Sequence, residues 1–233
     1  MFKDVVFICD PRDQSVKDLV SYGSISTPAD IIVAQDFTSF LQAITDFRQS
    51  DHKVLVCESM TGIGALCDDM ALITDYESKS AKFVNFQNGY ITAANVYFQK
   101  MLDEWIACQD LGKIVFVTAH TKVSGSGKNV TGEDWVSSAL DTTPQIGRRL
   151  QATFPNIFNI GWYTSTEKVG ARQKATDMKL KLYTGFNPLF PGKSKLGLTL
   201  EDAEIDYPSS MEKVYELYCR LFRLSPETNK RTS

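Results

Sequence analysis

Three carboxylates, two hydroxyls and one imidazole stand where apolar runs of this chain break off. Val5 to Cys9 ends at Asp10, with Asp13 three residues further on. Val54-Leu55-Val56-Cys57 stops at Glu58-Ser59, and Ile114-Val115-Phe116-Val117 stops at Thr118-Ala119-His120. Carboxylates brought together at adjacent strand ends, such as Asp10 and Glu58, could hold a divalent cation or act as a base. The same groups could instead cap neighbouring helices or loops. A catalytic triad is not indicated, because neither His52 nor His120 has a nucleophile in a Gly-x-Ser-x-Gly setting.

These residues need a scaffold that delivers strand ends to one place. Short unbroken apolar runs suit strands buried on both faces, as in a parallel sheet covered by helices. In such sheets ligands bind outside the carboxyl ends of the strands. Helices are expected at Ser15 to Tyr22 and, amphipathically, at Thr38 to Gln49, where Ser39 and Gln42 have capping-box spacing. Ile31 to Val33 is a brief strand between them. Gly62 and Gly64 predict a loop, with a helix from Ala65 to Tyr76 and an irregular stretch from Lys82 to Gly89.

Ile91 to Cys108 is the longest predicted helix, with a core stripe of Ala94, Phe98, Met101, Leu102, Trp105 and Ile106. Val123 to Thr143 is rich in Ser, Gly and Asp and predicts a loop, after which Pro144 opens a helix through Phe154. Ile157 to Tyr163 and Met178 to Tyr183 predict two further strands, antiparallel and extending the sheet at one edge. Ser209 to Leu224 predicts an amphipathic helix with a Ser209/Glu212 capping box. The expected organisation is one α/β domain over residues 1–207, a C-terminal helix over 208–225 and a polar tail over 226–233.

The chain has 233 residues, 43% hydrophobic and 23% charged, enough to bury a sizeable core. No apolar run approaches the roughly 20 residues of a membrane span, and no membrane association is expected. Its five cysteines show no paired spacing, which fits reduced thiols better than a disulfide or zinc scaffold. Charge is uneven. Residues 1–141 carry 11 Lys/Arg against 19 Asp/Glu, whereas residues 142–200 carry nine against two, a net of +7. That asymmetry suits either a polyanionic partner or head-to-tail self-association.

The order of helix, apolar strand, acid-Ser, long helix, apolar strand and His resembles the RecA-like P-loop ATPases, most closely the phage AAA-type nucleotide-binding proteins. The resemblance covers roughly residues 5–200. It implies a three-layer, mostly parallel α/β fold, with Val54 to Ser59 as Walker B and Val117 to His120 ending in the polar sensor. Pro144-Gln145-Ile146-Gly147-Arg148 is similar to the family's Pro-x-h-x-G segment. Lys193-Ser194-Lys195-Leu196-Gly197 is similar to an element that reaches a neighbouring subunit's nucleotide.

The departures from that pattern carry more weight. A P-loop needs a strand, Gly-x4-Gly-Lys-Ser/Thr and a helix, so that consecutive amides wrap the phosphates. Nothing of this kind flanks Val5 to Cys9, which matches the family's second strand, with Asp10 and Asp13 in its acidic positions. The first strand–P-loop–helix unit is therefore expected to be missing. Glu58 stands where the family usually has Asp. Ser126-Gly127-Lys128-Asn129 lacks the first glycine and the hydroxyl, and Gly192-Lys193-Ser194 follows two prolines that remove amide donors.

The resemblance without its phosphate cradle implies a non-catalytic RecA-like phage protein. It would act by assembling with itself or with other phage proteins, in the host cytoplasm or as part of the particle. No cofactor and no metal are expected, and Asp10, Asp13, Glu58, Ser59 and His120 would be vestigial. The alternative is an ATP- and Mg²⁺-dependent accessory of single-stranded DNA recombination, with an atypical or partner-supplied phosphate site. Its warrant is the basic segment, in which Trp162, Tyr163 and Tyr183 offer stacking platforms. On either reading, Arg148, Arg149, Arg172, Lys174, Lys193 and Lys195 are the candidates for touching a neighbouring subunit or nucleic acid.

Overall fold

The computed structural model describes residues 4–11, 15–23, 30–128, 134–157, 160–161, 163–168, 178–183, 193–194, 204–206, 213 and 216. The chain divides into two compact units. The first is Met1–Lys122 with Ala139–Thr153, and the second is Val123–Ser138 with Phe154–Ser233.

The first unit is α/β and is built on four parallel strands, β1 (Val5–Cys9), β2 (Asp30–Val33), β3 (Val54–Glu58) and β4 (Ile114–Val117), in the spatial order β2-β1-β3-β4. Between them run α1 (Ser15–Ser21), α2 (Phe37–Gln49), α3 (Met60–Thr74), α4 (Ser80–Val84), α5 (Asn88–Thr92) and α6 (Phe98–Asp110). Helices placed between parallel strands suit the three-layer arrangement expected from the apolar runs.

Strand pairing sorts the side chains into two faces. Ile8 pairs with Cys57, and Leu55 with Val115. On this face α2, α3 and α6 pack against β1, β3 and β4 respectively. Phe40, Ile44, Ile63, Phe98, Met101, Leu102 and Trp105 are fully buried there with Ile8 and Leu55. On the other face Val5, Phe7 and Cys9 cluster with Val16 of α1, and Ile31, Val54 and Val56 are only partly covered. Ile114 and Phe116, which continue this face onto β4, are 44% and 49% exposed. The expectation that every apolar run is buried on both sides therefore fails at β4. A seven-residue helix is too short to roof four strands.

Several boundaries also move. α3 begins at Met60, so Gly62 and Gly64 lie in its first turns rather than in a loop. The cap of α2 is Asp36 with Ser39: the Ser39 amide donates to Asp36 Oδ1 at 2.7 Å, and the Asp36 amide to Ser39 Oγ at 3.1 Å. The expected pairing of Ser39 with Gln42 is replaced, since Gln42 instead donates to Asp46. The Lys82 to Gly89 region is a chain of short helical turns broken at Phe86 and Gln87, whose φ angles are 50° and 60°. From Asn88 to Asp110 the chain is helical throughout, with a π turn at Ala93–Tyr97 between α5 and α6.

The segment expected to be a loop forms a two-stranded sheet of β5 (Thr121–Lys128) and β6 (Asp134–Leu140). Backbone pairing in a two-stranded ribbon does not require apolar side chains, so Ser and Gly concealed it. α7 (Pro144–Ile157) starts at the expected proline.

In the second unit, β7 (Ile160–Gly161) pairs antiparallel with β10 (Lys193–Ser194). β8 (Tyr163–Lys168), β9 (Met178–Tyr183) and β11 (Glu204–Asp206) form an antiparallel sheet in the order β11-β9-β8. The strand antiparallel to β9 is thus β8, which shares only Tyr163 with the expected partner Ile157 to Tyr163, whereas Ile160–Gly161 pairs with β10 instead; among the described residues none of these strands pairs with the parallel sheet. The amphipathic segment Ser209 to Leu224 lies outside the described residues except for Lys213 and Glu216, both helical and exposed.

Candidate functional site

The carboxyl ends of β1, β3 and β4 converge on the start of α3. The Asp10 amide donates to Glu58 O at 3.0 Å, and the Thr118 amide to Cys57 O at 3.1 Å. The Met60 amide, at the first position of α3, donates to Thr118 O at 2.9 Å. One turn later the Ile63 amide closes onto Ser59 O at 3.0 Å. The Ile63 bond is the first of the helix's own, so among the amides left over at this helix start that of Met60 is engaged by the β4 end.

Asp10 occupies the centre of this junction. It is 2% exposed, and a Cβ built on Gly62 would lie 1.7 Å from its Oδ2. The carboxylate thus rests directly on the first turn of α3, where the partial positive charge of the helix terminus favours an anion. Glycine at 62 is what permits this approach. Gly64 serves Thr142 in the same way, since a Cβ there would fall 2.4 Å from Thr142 Oγ1.

The segment entering α7 completes the junction. Thr142 Oγ1 donates to Met60 O at 3.2 Å, and the Thr61 hydroxyl donates to Asp141 O. The Asp141 amide donates to His120 O at 2.7 Å, and its side chain meets Lys122 Nζ at 2.9 Å. The result is a polar clasp joining three strand ends, α3 and α7.

The residues singled out for chemistry fare differently within it. Asp10, Glu58 and Ser59 are brought together at the β3–α3 junction, whose Glu58–Ser59 peptide is cis. Ser59 is buried at the N-cap of α3 without a capping side-chain hydrogen bond, and Glu58 is half-buried. His120 enters through its carbonyl only. Its side chain is exposed, and the expected imidazole bond beside Ser59 or Thr118 is absent among the described residues. Asp13 lies outside the described residues. No group of three or more His, Cys, Asp or Glu able to hold a metal occurs among the described residues.

The basic candidates separate as well. Arg148 is exposed on α7. Arg149 turns into the first unit, donating to Asn95 Oδ1 at 2.8 Å and to Gln99 Oε1. Arg172, Lys174 and Lys195 lie outside the described residues, and Lys193 pairs with Gly161 in β10. Lys179 stands opposite Glu167, and Lys181 opposite Asp206, in strand register. Gly127 and Lys128 lie within β5, an extended strand followed among the described residues by β6, which is not the loop-then-helix arrangement of a phosphate loop.

Besides Thr61, Asp141 and Thr142 of the clasp, two further polar residues escaped sequence reasoning. Lys113 is 9% exposed, and its ammonium donates to the carbonyls of Phe47, Ser50 and His52 at 2.7, 2.5 and 3.0 Å. It caps the C-terminal end of α2 from a distance of more than sixty residues in sequence. Asp68 on α3 has a buried Oδ1 with no hydrogen-bond partner among the described residues, and burial, with Asp69 adding to it, pushes its carboxyl up to about 7. Helical periodicity alone would have placed Asp68 on neither a wet nor a dry face.

No helix among the described residues is long and apolar enough to cross a membrane. Compared with known proteins, the chain matches no protein-family model and no curated protein sequence.

Proposed function

We propose that this chain is a non-catalytic, RecA-like protein of the phage AAA-type group. It works by assembling with itself or with other phage proteins, in the host cytoplasm or in the particle. The observation that carries this reading is Asp10. A buried carboxylate rests on the first turn of α3, at the strand ends where a nucleotide would be sought. A helix N-terminus attracts phosphate only while its positive end is vacant. Here that end is already matched by an anion, and a triphosphate brought to it would meet like charge. The Met60 amide, at the first position of that helix, is spent on Thr118.

Calorimetry with ATP and ADP, with and without Mg²⁺, tests the reading. No binding is expected in the micromolar range, and no turnover above the uncatalysed rate. Hydrolysis at an ordinary enzymatic rate would end the proposal.

A second reading, an ATP- and Mg²⁺-dependent accessory of single-stranded DNA recombination, draws on the net charge of +7 over residues 142–200 and on the exposed Arg148. Salt-dependent binding of a single-stranded oligonucleotide would favour this reading, and no binding at low salt would remove it.

A further inference from the structure

β4 ends the parallel sheet, and among the described residues no strand pairs with its outer side. The inward side is settled by hydrogen bonds: the Ile114 amide donates to Lys53 O at 2.9 Å and the Thr118 amide to Cys57 O at 3.1 Å. Donors and acceptors alternate along a strand in a parallel pair. Val115 and Val117 therefore turn their amides, and Val115 its carbonyl, outward. Natural edge strands guard such groups with charge, proline or a bulge. The four residues of β4 are Ile, Val, Phe and Val, with none of these guards. The lysine that precedes them, Lys113, spends its ammonium on the end of α2 and leaves the edge neutral.

We propose that β4 pairs antiparallel with β4 of a second copy of this chain about a two-fold axis at Val115, continuing the sheet across both molecules. This deepens the assembly reading above by naming the partner and the contact. Two independent requirements select the register. The axis must pass through a residue whose amide and carbonyl both face outward, so that Val115 exchanges a reciprocal pair of hydrogen bonds with its symmetry mate. The same register sets Ile114 of each copy opposite Phe116 of the other, twice, on the face where they are 44% and 49% exposed. These fall at the closely spaced, non-hydrogen-bonded positions, where an aromatic and a β-branched side chain pack best. The strand carries no charge, so self-pairing brings no like charges together. A four-residue strand buries little area, so the dimer belongs to the weak, concentration-dependent class.

Sedimentation velocity on the full chain across the micromolar range reads the association. The wild-type chain is expected to shift from monomer toward dimer as concentration rises. Ile114→Glu and Phe116→Lys should each weaken association at least about tenfold, since each sets two charges against apolar partners. An equimolar mixture of the two variants should recover the dimer, because one introduced carboxylate then faces one introduced ammonium while the remaining Phe and Ile still meet. Phe86→Lys, at a side chain 85% exposed elsewhere on the first unit, should leave association unchanged. Should either β4 variant lose its fold by circular dichroism, hydrogen exchange on the wild-type chain replaces it. Protection of the peptide containing Val115 and Val117 must then rise with concentration.

A monomer at every concentration overturns the proposal. So does a dimer indifferent to both β4 variants, a mixture that fails to recover association, or exchange independent of concentration. These failures are separable from that of the assembly reading. ATP turnover would end that reading and leave the dimer standing, whereas a monomeric chain would leave assembly to other phage proteins.

Discussion

On one face of the parallel sheet, Ile8, Leu55 and Cys57 lie under α2, α3 and α6 and see no solvent. On the other, cover thins from Phe7 beneath α1, through half-covered Val54 and Val56, to Ile114 and Phe116 in the open. The residue types are the same on both sides. What differs is how much helix the connecting segments supply, since α2, α3 and α6 run to 13, 15 and 13 residues and α1 to seven. An apolar strand face is thus a core only where a long enough crossover returns over it. Where none does, the same side chains are left open to solvent.

The sharpest way to break this contrast is Leu55→Ala on the covered face. Removing a fully buried leucine should cost about 2–5 kcal/mol in chemical denaturation. A loss below about 1 kcal/mol would mean that this face is not a packed core.

Next comes the rim where the covered face meets the strand ends. Gly62→Ala places a methyl group on the Asp10 carboxylate and should cost about 1–3 kcal/mol, because either the helix or the aspartate must move. Full tolerance in the same denaturation experiment would show that Asp10 does not rest on α3.

Smaller still is the effect of Asp68, half-buried on the helical side. Its folded-state carboxyl holds its proton up to about 7, whereas an unfolded chain releases it near about 4. The native state therefore binds more protons between those values, and stability falls as pH rises through the window. Asp68→Asn removes the penalty on the charged form. After allowance for its partial exposure, Tm should rise by about 2–4 °C at pH 8, and the gain should vanish by about pH 4. A gain independent of pH would refute the assignment.

The smallest effect belongs to the open face. Phe116→Ser, measured in dilute monomer, should change stability by no more than about 0.5 kcal/mol. A core-sized loss there would erase the difference between the two faces.

The sequence marked β1, β3 and β4 because each is an apolar run ended by polar residues, and the proline that opens α7 was equally visible. It also drew Asp10, Glu58 and Ser59 to one place, since parallel strands deliver their carboxyl ends to a common edge. What it concealed depended on contacts distant in sequence. Gly62 and Gly64 looked like loop residues because their reason for being glycine lies in Asp10 and Thr142. The ammonium of Lys113 is explained by three carbonyls at the end of another helix. The exposure of Phe116 reflects how far the described helices reach over the sheet, which no local pattern encodes. β5 and β6 were hidden because their pairing uses backbone groups common to all residues.

Four cysteines, Cys9, Cys57, Cys67 and Cys108, are buried in the first unit, one each on β1, β3, α3 and α6. Burial pushes the thiols of Cys57, Cys67 and Cys108 up, so that they offer little thiolate while sheet and helices stay packed and regain ordinary reactivity only on exposure. The unit consequently carries its own silent reporters of opening. An alkylating reagent should find these sulfurs only as their elements come apart, and the order in which they are marked gives the sequence in which sheet and helices let go.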